Sequence, residues 1–129
     1  MRLNQVTITV HNIDESVAFY QTLGLNLIVL SPHYARFECP DGGSTLSIHI
    51  AEPNQKTESS TTIYFESIRL DDWCAELAAK GVVFETPPID QRWLWREARL
   101  RDPSGNAICL YFAGENRLNP PWRLKDTTK

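Results

Sequence analysis

Residues 3–24 read LNQVTITVHNIDESVAFYQTLG, and residues 61–81 follow the same plan in TTIYFESIRLDDWCAELAAKG. In each stretch a strand pattern leads into a short helical pattern that ends at a glycine. The two glycines, Gly24 and Gly81, stand 57 residues apart. Two copies are too few for a solenoid, so the repeat predicts one closed, pseudo-symmetric domain. The boundary between the two copies is a favourable place for a ligand-binding site.

The repeat extends to the last strand of each copy. DGGSTLSIHI at 41–50 corresponds to PSGNAICLYF at 103–112, where a glycine turn leads into an alternating strand. We therefore predict one domain over residues 1–129. Its parts are module one at about 3–52, a linker at about 53–60, module two at about 61–112 and a C-terminal tail at 113–129.

Composition argues against several classes of function. The formal net charge of −3 is unlike that of a dedicated nucleic-acid binder, and an acid and two tryptophans interrupt the one basic stretch, at 92–101. No apolar run approaches the roughly 20 residues that span a bilayer. We expect neither a nucleic-acid nor a membrane partner.

The three cysteines indicate a reducing compartment. Cys39, Cys74 and Cys109 form neither an even disulfide set nor a CxxC motif. The sequence enters a strand at Leu3 with no leader pattern before it. We expect a cytoplasmic protein.

The helical patterns carry apolar stripes that can cover one face of the strands. These stripes comprise Val17, Tyr20, Leu23, Trp73, Leu77 and Ala78. Asp14 or Asn12 is the predicted N-cap of the first helix, and Asp71 that of the second. Helices on one side of the strands and polar faces on the other predict an α+β domain with an open trough.

The strand faces opposite the predicted core are rich in Thr, Ser, Tyr, Cys and His, whereas solvated faces favour Lys and Glu. By alternation the trough contains Gln5, Thr7, Ser47, His49, Thr62, Tyr64, Glu66, Trp93, Trp95, Glu97, Arg99, Cys109 and Tyr111. A plain solvated sheet face is the alternative. Two large aromatics, Trp93 and Trp95, suit a pocket wall better, so we predict a ligand-binding cavity.

The sequence resembles the vicinal oxygen chelate superfamily of glyoxalase I, bleomycin-resistance proteins and extradiol dioxygenases. Its second half looks like the bleomycin-resistance and glyoxalase-like branch. The shared features are a helix ending in Lys-Gly-Val, a Pro-Pro loop, a Trp-containing strand, and Asp-Pro-x-Gly-Asn at 102–106 before the last strand. The resemblance covers about residues 3–112. It implies two tandem βαβββ modules forming a curved mixed sheet with a U-shaped cavity, helices on the convex face, and a homodimer.

The resemblance also implies where a metal would bind. Metal-dependent members use one residue on the first strand and one on the last strand of each module, which here are Gln5, Thr62, Ser47 and Cys109. The family has His or Gln on the first strands and Glu on the last, so only Gln5 matches. Hydroxyl groups are poor ligands for such metals, and we predict no metal and no cofactor.

A displaced site is the alternative, in which Gln5, His49, Glu66 and Cys109 surround an ion. Otherwise His49 hydrogen-bonds Tyr111 or a ligand group. A buried neutral cysteine on a strand is commoner than an activated one, which argues against Cys109 as a nucleophile.

We therefore predict a binding protein for a small aromatic or carboxylate-bearing molecule. The ligand stacks on Trp93, Trp95 or Tyr64, and the residues that orient it are Gln5, His49, Arg99 and Glu66. Sequestration of bleomycin-family antibiotics is the best-known role in this branch. However, Leu94 replaces the glycine of its common Trp-Gly step, which predicts a different loop shape.

The first alternative is a metal-dependent lyase or isomerase of glyoxalase type with an altered ligand set. In such an enzyme the metal stabilises an enediolate after proton abstraction beside a carbonyl. A second alternative, a pure interaction module, is favoured only by the Trp-containing tail at 113–129.

Overall fold

The computed structural model describes residues 1–125, which divide into two compact units. Unit one contains Met1–Thr62 together with Arg101–Ala107. Unit two contains Ile63–Leu100 and the chain from Ile108 onward. Among the described residues, no helix is both long and apolar enough to cross a bilayer.

Unit one is built on a four-stranded mixed sheet. Its elements are β1 (Gln5–Val10), α1 (Ile13–Leu23), β2 (Asn26–Ser31), β3 (Tyr34–Glu38) and β4 (Thr45–Ile50). The strand order is β1-β4-β3-β2, with β1 parallel to β4 and the other neighbours antiparallel. Helix α1 contacts β2, β3 and β4, so it covers one face of the sheet.

The second half of the chain repeats this arrangement. Its elements are β5 (Thr62–Glu66), α2 (Leu70–Ala79), β6 (Phe84–Asp90), β7 (Arg96–Arg101) and β8 (Ala107–Phe112), followed by a 3₁₀ turn at Gly114–Asn116. The order β5-β8-β7-β6 matches that of the first sheet. The predicted α+β fold of two tandem βαβββ modules is confirmed.

The 57-residue offset of the sequence repeat recurs in the backbone. Helices α1 and α2 begin at Ile13 and Leu70. Each helix is followed by a glycine in the left-handed region, Gly24 at φ 114° and Gly81 at φ 94°. Glycine adopts this conformation without the steric cost of a Cβ, which explains why both copies end their helix with it.

The helix N-termini differ from one another. The side chain of Asn12 caps α1 by accepting a 2.8 Å hydrogen bond from the backbone N–H of Glu15. The predicted Asp71 cap of α2 is wrong, because the N-cap lies two residues earlier, at Arg69, and makes no side-chain hydrogen bond. Asp71 instead accepts hydrogen bonds from the Arg96 guanidinium at 2.9 and 3.2 Å.

The predicted apolar stripe of α1 is confirmed, whereas that of α2 is partly wrong. Val17, Tyr20 and Leu23 are buried, and the Tyr20 ring packs against Phe37 at 5.6 Å between centroids. In α2 the buried residues are Leu70, Cys74 and Leu77, while Ala78 is exposed. The helical period of 3.6 residues places Leu70, Cys74 and Leu77 on one side of α2, and Ala78 lies at the edge of this buried stripe.

Candidate functional site

The polar face of unit one brings several predicted site residues together. The strand register pairs Thr7 with Ser47, and Ser47 in turn with Arg36 on β3. The predicted residues on this face are Gln5, Thr7, Ser47 and His49. Tyr34, Arg36 and Thr45 also lie on this face and were not predicted, although YARFE at 34–38 alternates as clearly as the other strands.

Ser47 is the centre of a hydrogen-bond network on this face. It is fully buried, and its hydroxyl accepts a 2.8 Å hydrogen bond from the Gln5 Nε2 amide. The Tyr34 hydroxyl lies 2.5 Å from the same oxygen. Tyr34 in turn accepts a 3.0 Å bond from the Arg36 Nε–H. The bond to Ser47, and then the Arg36 guanidinium, lower the pKa of Tyr34 below its usual range.

The remaining predicted residues of unit one are less closely connected. The Gln5 Nε2 amide also donates to the Thr7 hydroxyl at 3.1 Å, and its Oε1 accepts a bond from Thr45. The exposed His49 ring places Nδ1 2.9 Å from the carbonyl oxygen of Ile50. Thr62 is half-buried at the start of β5. The Gln5 amide is thus bonded at both ends by neighbouring side chains.

In unit two, the predicted site residues include a packed aromatic cluster. The Trp95 ring stacks on Tyr111 with centroids 4.7 Å apart and an interplanar angle of 20°. Tyr64 meets both rings edge-on, at 6.0 and 5.5 Å. The Trp95 indole donates to the carbonyl of Asn116 at 3.3 Å. One face of Trp95 is therefore already covered by Tyr111, which is itself buried.

Beside this cluster, the carboxylate of Glu97 is nearly buried. Its side chain is 3% exposed, and it accepts a 2.8 Å hydrogen bond from Arg99 and another of 2.8 Å from the Trp93 indole. The Arg99 guanidinium also lies 5.8 Å from the Tyr64 ring centroid. A buried carboxylate requires such partners, and both of them come from predicted site residues.

Trp93 and Trp95 precede β7 rather than forming part of it. They lie in a turn closed by a 2.7 Å hydrogen bond from the Gln91 N–H to the Trp95 carbonyl. The predicted strand over these tryptophans is therefore wrong, because the chain reverses here before β7 starts at Arg96. Trp93 nevertheless reaches the predicted face through its bond to Glu97.

Glu66 does not present a free carboxylate. Its Oε2 atom accepts hydrogen bonds from the backbone N–H groups of Ala113 and Gly114, at 2.8 and 3.0 Å. Arg117 lies 3.9 Å from the other oxygen. These contacts give Glu66 the role of holding the chain that follows β8.

The surroundings of Cys109 favour the neutral thiol. It is fully buried, and burial, followed by the nearby charge of Glu97, raises its pKa to about 12. The thiolate is the form that binds metals and attacks electrophiles. The environment of Cys109 therefore suits neither role near neutral pH.

The residues at the family's metal positions do not fit a divalent metal. They supply one amide, two hydroxyls and a neutral thiol, whereas such metals prefer imidazole and carboxylate groups. Within residues 1–125 there is no group of three or more His, Cys, Asp or Glu side chains that could hold a metal ion. Glu66, the carboxylate of the displaced alternative, is bound to backbone N–H groups.

Comparison with known proteins identifies the family. A family model described as the Glyoxalase/Bleomycin resistance protein/Dioxygenase superfamily matches residues 2–110. The chain belongs to this superfamily. The resemblance found in the sequence is confirmed by this match, and the βαβββ repeat agrees with it.

Individual proteins are similar to this chain at modest identity. An uncharacterized protein of Mycolicibacterium smegmatis is 27% identical over 110 residues, which cover 84% of this chain and 91% of that protein. The crystal structure of a glyoxalase/bleomycin resistance protein/dioxygenase from Nocardioides is 26% identical, with a TM-score of 0.73 over 96% of this chain and 89% of that one.

A third member is informative about the fold. The bleomycin-binding protein crystallised in complex with bleomycin has a TM-score of 0.71, over 87% of this chain and 98% of that one. It is 18% identical to this chain, so the similarity shows a common fold.

Proposed function

We propose that this member of the superfamily binds a small aromatic or carboxylate-bearing molecule on its polar strand faces, and that it does so without the family's metal. The observation that carries the proposal is the state of Ser47. In place of a metal-binding carboxylate there is a buried hydroxyl, hydrogen-bonded to Gln5 and Tyr34. Binding of a metal ion at Ser47 would disrupt these hydrogen bonds, and the hydroxyl group that it would bind is a poor ligand.

The exposed groups of unit two support an aromatic ligand. Trp93 and Tyr64 are 38% and 44% exposed, so their rings can still gain contact area. Arg99 adds a planar cation beside Tyr64. The family contains a bleomycin-binding protein, which makes an antibiotic one candidate ligand.

Metal analysis tests the metal-free part of the proposal. Protein purified without chelator should contain far less than one divalent metal per chain, and EDTA should leave its melting temperature unchanged. A near-stoichiometric metal whose removal lowers the melting temperature would contradict the proposal. That result would favour the glyoxalase-type lyase or isomerase.

A fluorescence screen tests ligand binding. Aromatic and carboxylate-bearing small molecules are titrated against the protein, and tryptophan emission reports binding. Replacing Trp93 with Ala should weaken a true ligand roughly tenfold, because stacking and buried area are both lost. Thr9→Ala is the control and should leave affinity unchanged. If the hits bind the wild type and Trp93→Ala equally, the proposed aromatic site is wrong.

We also propose a homodimer in the reducing cytoplasm. All three cysteines are free thiols, as a reducing compartment maintains them. Leu118, Trp122 and Leu124 are each more than half exposed near the C-terminus, and a partner chain would cover such apolar surface. Light scattering should give twice the mass of one chain. A monomer mass at micromolar concentrations would refute the dimer.

A further inference from the structure

Arg36 is a half-buried cation on the polar face of unit one. Its Nε–H donates to the Tyr34 hydroxyl at 3.0 Å, and its guanidinium carbon lies 5.5 Å from the Tyr34 ring centroid. Within residues 1–125, its two terminal amino groups have no hydrogen-bond acceptor and no carboxylate within ion-pair distance. Glu38, on the same face two residues further along β3, does not form an ion pair with it.

The second sheet contains a corresponding arginine that has a carboxylate partner. Strands β3 and β7 occupy the same place in their sheets, and buried Ala35 and Ala98 align them. Arg36 then corresponds to Arg99. Two residues earlier, Arg99 has the carboxylate of Glu97, which it binds at 2.8 Å.

At the corresponding position in unit one, Arg36 has Tyr34. A tyrosine hydroxyl accepts a hydrogen bond but does not neutralise the guanidinium as a carboxylate does. One copy of the module thus contains a complete arginine–carboxylate pair, and the other contains the arginine alone.

We propose that Arg36, together with Tyr34 and Ser47, forms a subsite for the oxyanion of a small ligand, either a carboxylate or a phosphate. This inference rests on the proposed function and assigns a subsite for an anionic group within unit one. The ligand's anion binds Arg36 as Glu97 binds Arg99.

The chemistry of the three side chains suits this role. A guanidinium presents its N–H groups in a rigid fork that matches two oxygen atoms of a carboxylate or phosphate. Tyr34 occupies Nε and holds the plane of the fork, which leaves the terminal amino groups for the ligand. Ser47 anchors Tyr34 through the 2.5 Å contact between their hydroxyls.

NMR titration of ¹⁵N-labelled full-length protein tests the subsite with three probes. Benzoate and phenyl phosphate carry the two oxyanions, and benzamide is a neutral analogue of similar shape. Both anions should shift the Arg36 Nε–H signal, which Arg36→Lys identifies by removing it, and benzamide should not. The tighter of the two anions shows which group the site prefers.

Variants then measure the contribution of Arg36. Arg36→Gln should weaken binding of the anions by about tenfold or more, as expected for hydrogen bonds to a charged group. Arg36→Lys keeps the charge without the fork, so it should bind with intermediate affinity. Lys80→Gln removes one positive charge just after α2 and should change nothing. Thermal melts of all variants verify folding.

The outcomes separate this inference from the proposed function. If the anions bind wild type, Arg36→Gln and Arg36→Lys with equal affinity, the subsite is wrong while ligand binding stands. If only benzamide binds, the subsite is also wrong and an aromatic site remains. If none of the three probes binds and the fluorescence screen yields no ligand, both proposals fail.

Discussion

Asp102 accepts four hydrogen bonds although it is almost completely buried. The donors are the Tyr20 hydroxyl at 2.7 Å, the backbone N–H groups of Ser104 and Asn106, and the Asn106 side-chain amide. All four residues lie in unit one. Burial, and then the negative charge of Asp102, raise the pKa of Tyr20 above its usual range, so the phenol stays protonated and donates.

Tyr20→Phe should destabilise the fold by about 1.5–3 kcal/mol, because it removes one hydrogen bond to a charged, buried group. Urea denaturation at neutral pH measures this change in the free energy of unfolding. Thr22→Ala on the same helix is the matched control, since the hydroxyl it removes is bonded to a backbone carbonyl at the surface. A Tyr20→Phe protein as stable as the control would contradict this account of the Asp102 cluster.

Cys109 should make stability depend on alkaline pH. Burial raises its pKa from 9.0 to about 12, so the folded state disfavours the thiolate. The resulting stability is complete below pH 9.0 and is lost as the pH rises toward 12. Within this window the loss should approach about 1.4 kcal/mol per pH unit. Urea denaturation at several pH values in this window measures the free energy of unfolding. This free energy should fall less steeply with pH for Cys109→Ala than for the wild type, and equal slopes would refute the prediction.

At the level of elements, the turn before β7 contains a strained residue. Leu94 has φ 70°, in the left-handed region that costs a residue with a Cβ about 1–2 kcal/mol. Glycine, which the resemblance to the bleomycin-resistance and glyoxalase-like branch leads one to expect at this step, adopts the conformation freely. The backbone at Leu94 therefore has a conformation that favours glycine.

Leu94→Gly should therefore stabilise the protein by about 0.5–1 kcal/mol, since relief of strain exceeds the added freedom of the unfolded chain. Leu94→Ala is the matched control, because it removes the same half-exposed side chain and keeps the strain. Urea denaturation of the wild type and both variants measures the changes in the free energy of unfolding. The explanation fails if glycine is no more stabilising than alanine.

At the level of the whole molecule, unit one is completed by residues distant in sequence. The turn at Arg101–Ala107 belongs to it, although the strands on either side of the turn belong to unit two. Within this turn, Ser104 accepts a bond from the His11 N–H, and Asn106 donates to the Thr9 carbonyl. The buried Thr57 donates to the Ser104 carbonyl.

A fragment of residues 1–62 should therefore fail to fold alone, although it contains the complete first βαβββ module. It lacks Asp102 for Tyr20 and Asn106 for the Thr9 carbonyl, and unpartnered buried polar groups are costly. The NMR spectrum of the 1–62 fragment should show little chemical-shift dispersion. Addition of a 63–129 fragment should restore the dispersion of a folded protein. A cooperative, well-dispersed spectrum of the first fragment alone would contradict this.

Local pattern was enough to predict the repeat and its strands and helices, whereas the family was predicted from the resemblance of longer motifs. Alternation and helical spacing depend on neighbours within a few residues, and both copies carry these signals clearly. Strand alternation also predicted on which face of its sheet each of Gln5, Ser47 and Tyr64 lies. The second N-cap and the tryptophan strand were wrong, because a two-residue shift of an N-cap and a turn before a strand leave weak local signals.

Tertiary structure alone decided what the site residues do. Glu66 binds the N–H groups of Ala113 and Gly114, and Trp95 stacks on Tyr111, so both predicted ligand residues have structural partners. The contact of Arg36 with Tyr34 lies within one strand, but the lack of a carboxylate beside Arg36 depends on the neighbouring strands. Sequence by itself determines which side chains share a face. Packing between strands determines which of them are already paired, because that depends on register and distance across the sheet.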